Sequence, residues 1–108
     1  MSYLSAFPDY DGELFVPKGW VDYSYKNDLC PRAMKIVESE TECLRIEFSL
    51  WQDYVDVDKR EYDNRKRFTF EIMLFDGKGE RLMYYYETDD FEEAKRLCDG
   101  VQDFKINV

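Results

Sequence analysis

Two stretches of this chain alternate apolar and polar residues with period two, and that alternation limits what it can fold into more than any other feature. Leu44, Ile46, Phe48 and Leu50 are interleaved with Arg45, Glu47 and Ser49, and Phe68, Phe70, Ile72 and Leu74 with Thr69, Glu71 and Met73. Successive side chains of a strand point to opposite faces, so each pattern is that of a strand with one buried face. The second pattern runs into Asp76-Gly77-Lys78-Gly79. Glycine supplies the positive φ of a tight tip, so residues 80–87 are expected to return as the other arm of a hairpin, with Leu82, Tyr84 and Tyr86 on one face. Residues 33–37 fit a further strand, joined to 44–51 by the acidic turn 38–42. Residues 13–16 fit a short strand stopped by Pro17-Lys18-Gly19, and 104–108 alternate again as a last short one. Residues 20–31, dense in aromatics, read either as an edge strand or as an ordered loop.

One helix is signalled, over residues 90–99. Asp89 is placed to act as its N-cap with Glu92 three residues on, and Gly100 to stop it. Phe91, Ala94, Leu97 and Val101 recur at helical spacing. They are expected to dock on the face made by the alternate apolar residues of 44–50 and 68–74, since each pattern needs the other to leave water. Strands in series followed by one amphipathic helix predict an α+β fold: an antiparallel β-sheet of about four to six strands with one C-terminal helix on one face. The opposite face would carry Trp51, Met73, Phe75, Met83 and Tyr85, covered by the arm 1–12 and the segment 20–25. With no repeat or linker, residues 1–108 form a single domain with an irregular N-terminal arm at about 1–12, packed through Tyr3, Leu4 and Phe7.

Charge and composition narrow the function. Fifteen basic residues against 24 acidic ones give a net charge of −9, and there is no histidine. The missing imidazole removes Ser–His and Cys–His dyads and every histidine-containing metal site. The negative charge opposes direct binding to nucleic acid or an anionic membrane, whose affinity comes from Lys and Arg on phosphates. Cys30, Cys43 and Cys98 are odd in number and lack a C-x-x-C pair, which reads as free thiols in a reducing compartment. Residues 1–20 have no basic stretch followed by an apolar run, and no apolar segment approaches the ~20 residues that span a bilayer. A cytoplasmic location is therefore expected.

Several motifs resemble chemistry without completing it. Asp53-x-x-Asp56-x-Asp58 has the acids of a calcium loop, but Lys59-Arg60-Glu61 follows where a glycine turn is needed. Ser24 and Lys26 share a face if extended, yet nothing supplies an oxyanion hole. Asp76-Gly77-Lys78-Gly79 lacks the helix that a phosphate loop opens. The basic island Lys59, Arg60, Arg65, Lys66 and Arg67 has acids around it to pair with. The expectation is a protein that is not an enzyme and takes no metal or cofactor.

The acids themselves are unevenly placed. Residues 38–58 hold seven acids and one base. If 38–42 is extended, Glu38, Glu40 and Glu42 lie on one side at steps of about 6.7 Å, twice the rise per strand residue. A row of carboxylates so spaced imitates a nucleic-acid backbone. The sequence thus points to a small acidic binding protein that inhibits or neutralises a nucleic-acid-handling protein, such as a phage anti-defence (anti-CRISPR-type) inhibitor or a toxin's immunity protein. Its partner would be a protein with a basic surface, engaged through Glu38, Glu40, Glu42, Asp53, Asp56 and Asp58 with Trp20, Tyr23 and Tyr54 as aromatic anchors. The alternative is a small-ligand-binding or self-associating regulatory domain that uses an aromatic sheet face.

Overall fold

The computed structural model describes residues 2–39, 43–62 and 66–106. Five strands, β1 (Val21–Asp22), β2 (Arg32–Glu38), β3 (Arg45–Gln52), β4 (Phe68–Phe75) and β5 (Glu80–Thr88), follow a short helix α1 (Tyr3–Ala6) and precede helix α2 (Phe91–Gly100). The strands form one sheet in sequence order, every pair antiparallel. This is the α+β architecture that the alternation predicts. Gly77 at φ 84° and Gly79 at φ 149° make the β4–β5 tip, where a side chain would be strained.

The inner face is built by residues that lie opposite one another in the register. Leu50 is paired with Phe70 and Phe48 with Ile72 across β3–β4, and Ala33 of β2 lies opposite Leu50. With Phe68 and Trp20 they meet Ala94 and Cys98 of α2 in the main core, flanked by half-buried Phe15, Ile46, Leu97 and Val101. Cys98, one turn after Ala94, is the helix's second fully buried residue, whereas Phe91 stays at the rim, edge-on to Phe15 at 5.0 Å. The helix is capped by Asp90, whose carboxylate accepts the Glu92 N–H at 3.0 Å. The expected cap, Asp89, is one residue too early: its carboxylate accepts the Arg67 N–H and pairs with the Arg60 guanidinium, both at 2.9 Å.

Residues 13–16 do not form the expected strand, and of the expected strand 104–108 the described part does not either. Residues 13–16 lie beside β3 but are held by a side chain: the Gln52 amide accepts the Phe15 N–H at 2.8 Å and donates to its carbonyl at 2.7 Å. Gln52 thus does by itself what a neighbouring strand's backbone would do. Residues 104–106 are irregular, with the Phe104 ring against Phe48 at 5.3 Å, and 107–108 lie outside the described residues. The segment 20–31 is both an edge strand and a loop. After β1, the Ser24 hydroxyl donates to Asp22 and accepts the Arg32 N–H, which turns the chain back into β2.

The outer face is covered differently from the expectation. Trp20 turns into the main core, 5% exposed. The arm forms its own cluster of Ala6, Phe7 and Tyr10 with Tyr54. The Arg32 guanidinium stacks on Trp51 at 4.3 Å and Tyr23 at 5.2 Å, and Tyr62 packs against the same Trp51. Finally, the β4–β5 pairing is irregular between Ile72 and Met73: Ile72 is opposite Tyr84 but Met73 is opposite Leu82, which leaves Met83 as an extra residue. An inserted residue reverses the alternation beyond it. Leu82 therefore shares the outer face with Met73, while Met83 joins Tyr84 on the inner side beside Phe48 and Ile72.

Candidate functional site

The strand register separates the acidic residues that the sequence groups. Glu38 ends β2 opposite Arg45, the first residue of β3, while Asp53 follows Gln52, its last. The whole length of β3, seven strand steps or about 23 Å, therefore lies between Glu38 and the 53–58 acids. Glu40 and Glu42 fall outside the described residues. Glu38, Asp56 and Asp58 are exposed, at opposite ends of the sheet rather than along one strip.

Asp53 is not a surface acid at all. It is 0% exposed, and its carboxylate accepts the backbone N–H groups of Tyr54 at 2.8 Å and of Glu61 and Tyr62 at 3.0 Å. A buried carboxylate needs such donors to offset its lost hydration, and here they close the loop 53–62 into a ring. Neighbouring charges serve the same loop. Asp56 accepts the Asp58 N–H and so starts a short 3-10 turn, Val57–Lys59. Asp11 accepts the Val55 and Asp56 N–H groups, each at 2.8 Å. Arg60 donates to the carbonyls of Tyr54 and Val55. What desolvation Asp11 suffers would raise its carboxyl, but the Asp56 and Val55 amides outweigh it and hold it below its ordinary value. Asp89 is lowered too, first by the Arg67 amide and then by Arg60 and Lys66.

The expected anchors are mostly interior. Tyr54 is 6% exposed, its ring 5.3 Å from that of Tyr10 and its hydroxyl donating to Asp9 at 2.8 Å. With Trp20 in the main core, only Tyr23 of the three is partly open. In a chain this small, large rings are drawn to wherever they leave water, because each buries so much area.

The exposed aromatic surface lies elsewhere, on β5. Leu82, Met83, Tyr84, Tyr85 and Tyr86 are 50%, 55%, 43%, 42% and 37% exposed. The strand is nine residues long and pairs only with β4, so among the described residues its far side is a sheet edge. The other edge, β1, is two residues long. Beside β5, a groove of about 310 Å³ runs between the sheet and the chain leaving α2, lined by Phe48, Ile72, Leu74, Met83, Tyr84 and Phe104 among others. β5 itself carries Glu80, Arg81 and Glu87, and Glu93 of α2 accepts the Tyr86 hydroxyl at 2.9 Å, a net −2 beside the apolar stretch. The Tyr84-Tyr85-Tyr86 run was the signal available in the sequence, since alternation must turn some of the three outward.

Among the described residues no three His, Cys, Asp or Glu side chains are grouped to hold a metal ion, and no helix is long and apolar enough to cross a membrane. Compared with protein-family models, curated proteins and solved structures, the chain matches none.

Proposed function

We propose that this is a binding protein that captures a partner of opposite charge through the open β5 edge. The observation that carries the reading is the exposure of five consecutive large apolar or aromatic residues on an edge strand, Leu82 to Tyr86. A long apolar edge left uncovered is a hazard that proteins ordinarily blunt, so its retention argues for use. The basic character of the partner rests on the net −9 of the chain and on Glu80, Glu87 and Glu93 at β5, which outnumber Arg81 there. Basic surfaces are typical of proteins that handle nucleic acid, so inhibition or neutralisation of such a protein remains the functional form that the charge favours. The contact moves, however, from the divided acidic residues to the aromatic edge.

The test is site-specific photo-crosslinking in the host cell, with a benzophenone amino acid placed at Leu82, at Glu38 or at Asp58. Adducts from position 82 to a partner with excess Lys and Arg are expected. Adducts only from positions 38 and 58 would return the contact to the acids, and an acidic partner at position 82 would refute the charge argument. No adduct from any of the three would count against a binding role for either surface.

A further inference from the structure

We infer that the partner contributes an extended basic segment that adds to β5 as a sixth strand and seats an apolar side chain in the groove beside α2. This rests on the proposed binding role and goes beyond it by naming the mode of recognition. An edge strand presents a row of unpaired N–H and C=O groups, and an extended peptide laid against it gains main-chain hydrogen bonds while alternate side chains supply specificity. β5 has the place in the sheet and the side chains for this mode. Its outer side has no neighbouring strand among the described residues. The bulge at Met83 turns Met83 and Tyr84 to the same side, so the edge runs directly into the apolar groove that also meets Phe48 and Phe104.

Charge selects the occupant. A second copy of this chain would bring a molecule of net charge −9 against its own like. Like charges placed across an interface weaken association, whereas opposite charges speed encounter and fix register. Glu80 and Glu87 stand near the two ends of the strand with Leu82 to Tyr86 between them. The segment that fits is therefore apolar at alternate positions and carries Lys or Arg between and beside them.

The probe is a synthetic decapeptide alternating Lys and Ile, compared with its Glu/Ile counterpart by fluorescence polarisation and by hydrogen exchange of the intact protein. Two further Lys/Ile peptides are N-methylated, one at every Lys and the other at every Ile. An extended strand turns alternate N–H groups to opposite sides, so only one of these blocks the paired edge. The Lys/Ile peptide is expected to bind at least about tenfold more tightly than the Glu/Ile one, to slow exchange at residues 81–86, and to lose at least about tenfold in only one N-methylated form.

Equal binding of both N-methylated forms would overturn strand addition while leaving β5 as a side-chain binding surface. Protection confined to other elements would overturn the binding reading as well. A concentration-dependent dimer with protected β5 amides would replace the foreign segment by a second copy, and failure of the Lys/Ile peptide to bind would refute the inference outright.

Discussion

Replacing Asp53 by Ala is expected to bring the protein close to unfolding, although the residue sits in what reads as a solvated acidic run. The substitution strips acceptors from three backbone N–H groups, those of Tyr54, Glu61 and Tyr62, at a position with 0% exposure. A buried donor left without its acceptor loses about 1–3 kcal/mol. Three such donors, partly relieved by water entering a loop near the surface, give roughly 3–5 kcal/mol. Against a total stability of about 5–15 kcal/mol for a domain this is a large share. Asp58→Ala is the control, because Asp58 is an exposed acid of the same run and such surface changes are usually within about 0.5 kcal/mol. Urea unfolding followed by tryptophan fluorescence reads both. With a slope of about 1–3 kcal/mol per molar urea, the Asp53→Ala midpoint should fall by a molar or more and the Asp58→Ala midpoint should barely move. Equal midpoints for the two variants would refute the argument that Asp53 closes the loop 53–62.

Two other outcomes follow from the same end of the sheet and from the core. Asp89, held below its ordinary 3.8 by the Arg67 amide and by Arg60 and Lys66, contributes stability that is present above the unfolded value and is lost as pH falls through the lower folded one. Asp89→Asn should therefore lower the urea midpoint at neutral pH, by an amount limited by its exposure, and the gap from the parent should close below about pH 4; a gap independent of pH would contradict this. Cys43 is exposed while Cys30 and Cys98 are buried, and burial pushes the Cys98 thiol up to about 12 and the Cys30 thiol higher still, the latter with help from Asp53. Thiolate is the reactive form, so brief iodoacetamide treatment of the native protein should alkylate Cys43 alone by mass spectrometry, and all three only after denaturation; rapid native labelling of Cys98 would mean that α2 does not stay docked.

What could be read from the sequence was whatever the backbone writes into side-chain periodicity. β3 and β4 announce themselves because one face of each must leave water, and the helix because Ala94, Leu97 and Val101 answer them. Features made by single residues in three dimensions left no such trace. Nothing marks Met83 as an inserted residue, yet it reverses the facing of Leu82. Asp53 looks like its exposed neighbours because its partners are backbone amides, which every sequence contains. Gln52 reads as the polar end of a strand, and only its two hydrogen bonds to Phe15 show that it stands in for a sixth neighbour. The acidic strip comes apart for the same reason: grouping Glu38 with Asp58 assumes that nearness in sequence survives folding. A hairpin instead carries one end of β3 about 23 Å from the other.

The two edges of the sheet show how the fold distributes its protection. β1 is two residues long, and the carboxylate of its Asp22 accepts the Tyr3 N–H at 2.6 Å, which ties the N-terminal arm across that side. Loop and arm leave little edge there for another chain to join. β5 is more than four times as long, with charges at its ends, Glu80, Arg81 and Glu87, and a bulge at Met83. Charged residues and bulges are the usual means of discouraging edge pairing, but here they leave the middle of the strand apolar. The two glutamates outnumber Arg81, so the ends favour a basic chain over a like-charged copy, and the bulge opens a groove instead of closing the edge. Blunting that discriminates by charge is what a selective binding edge requires, and a merely solubilised edge would place its charges in the middle, where Leu82 to Tyr86 stand.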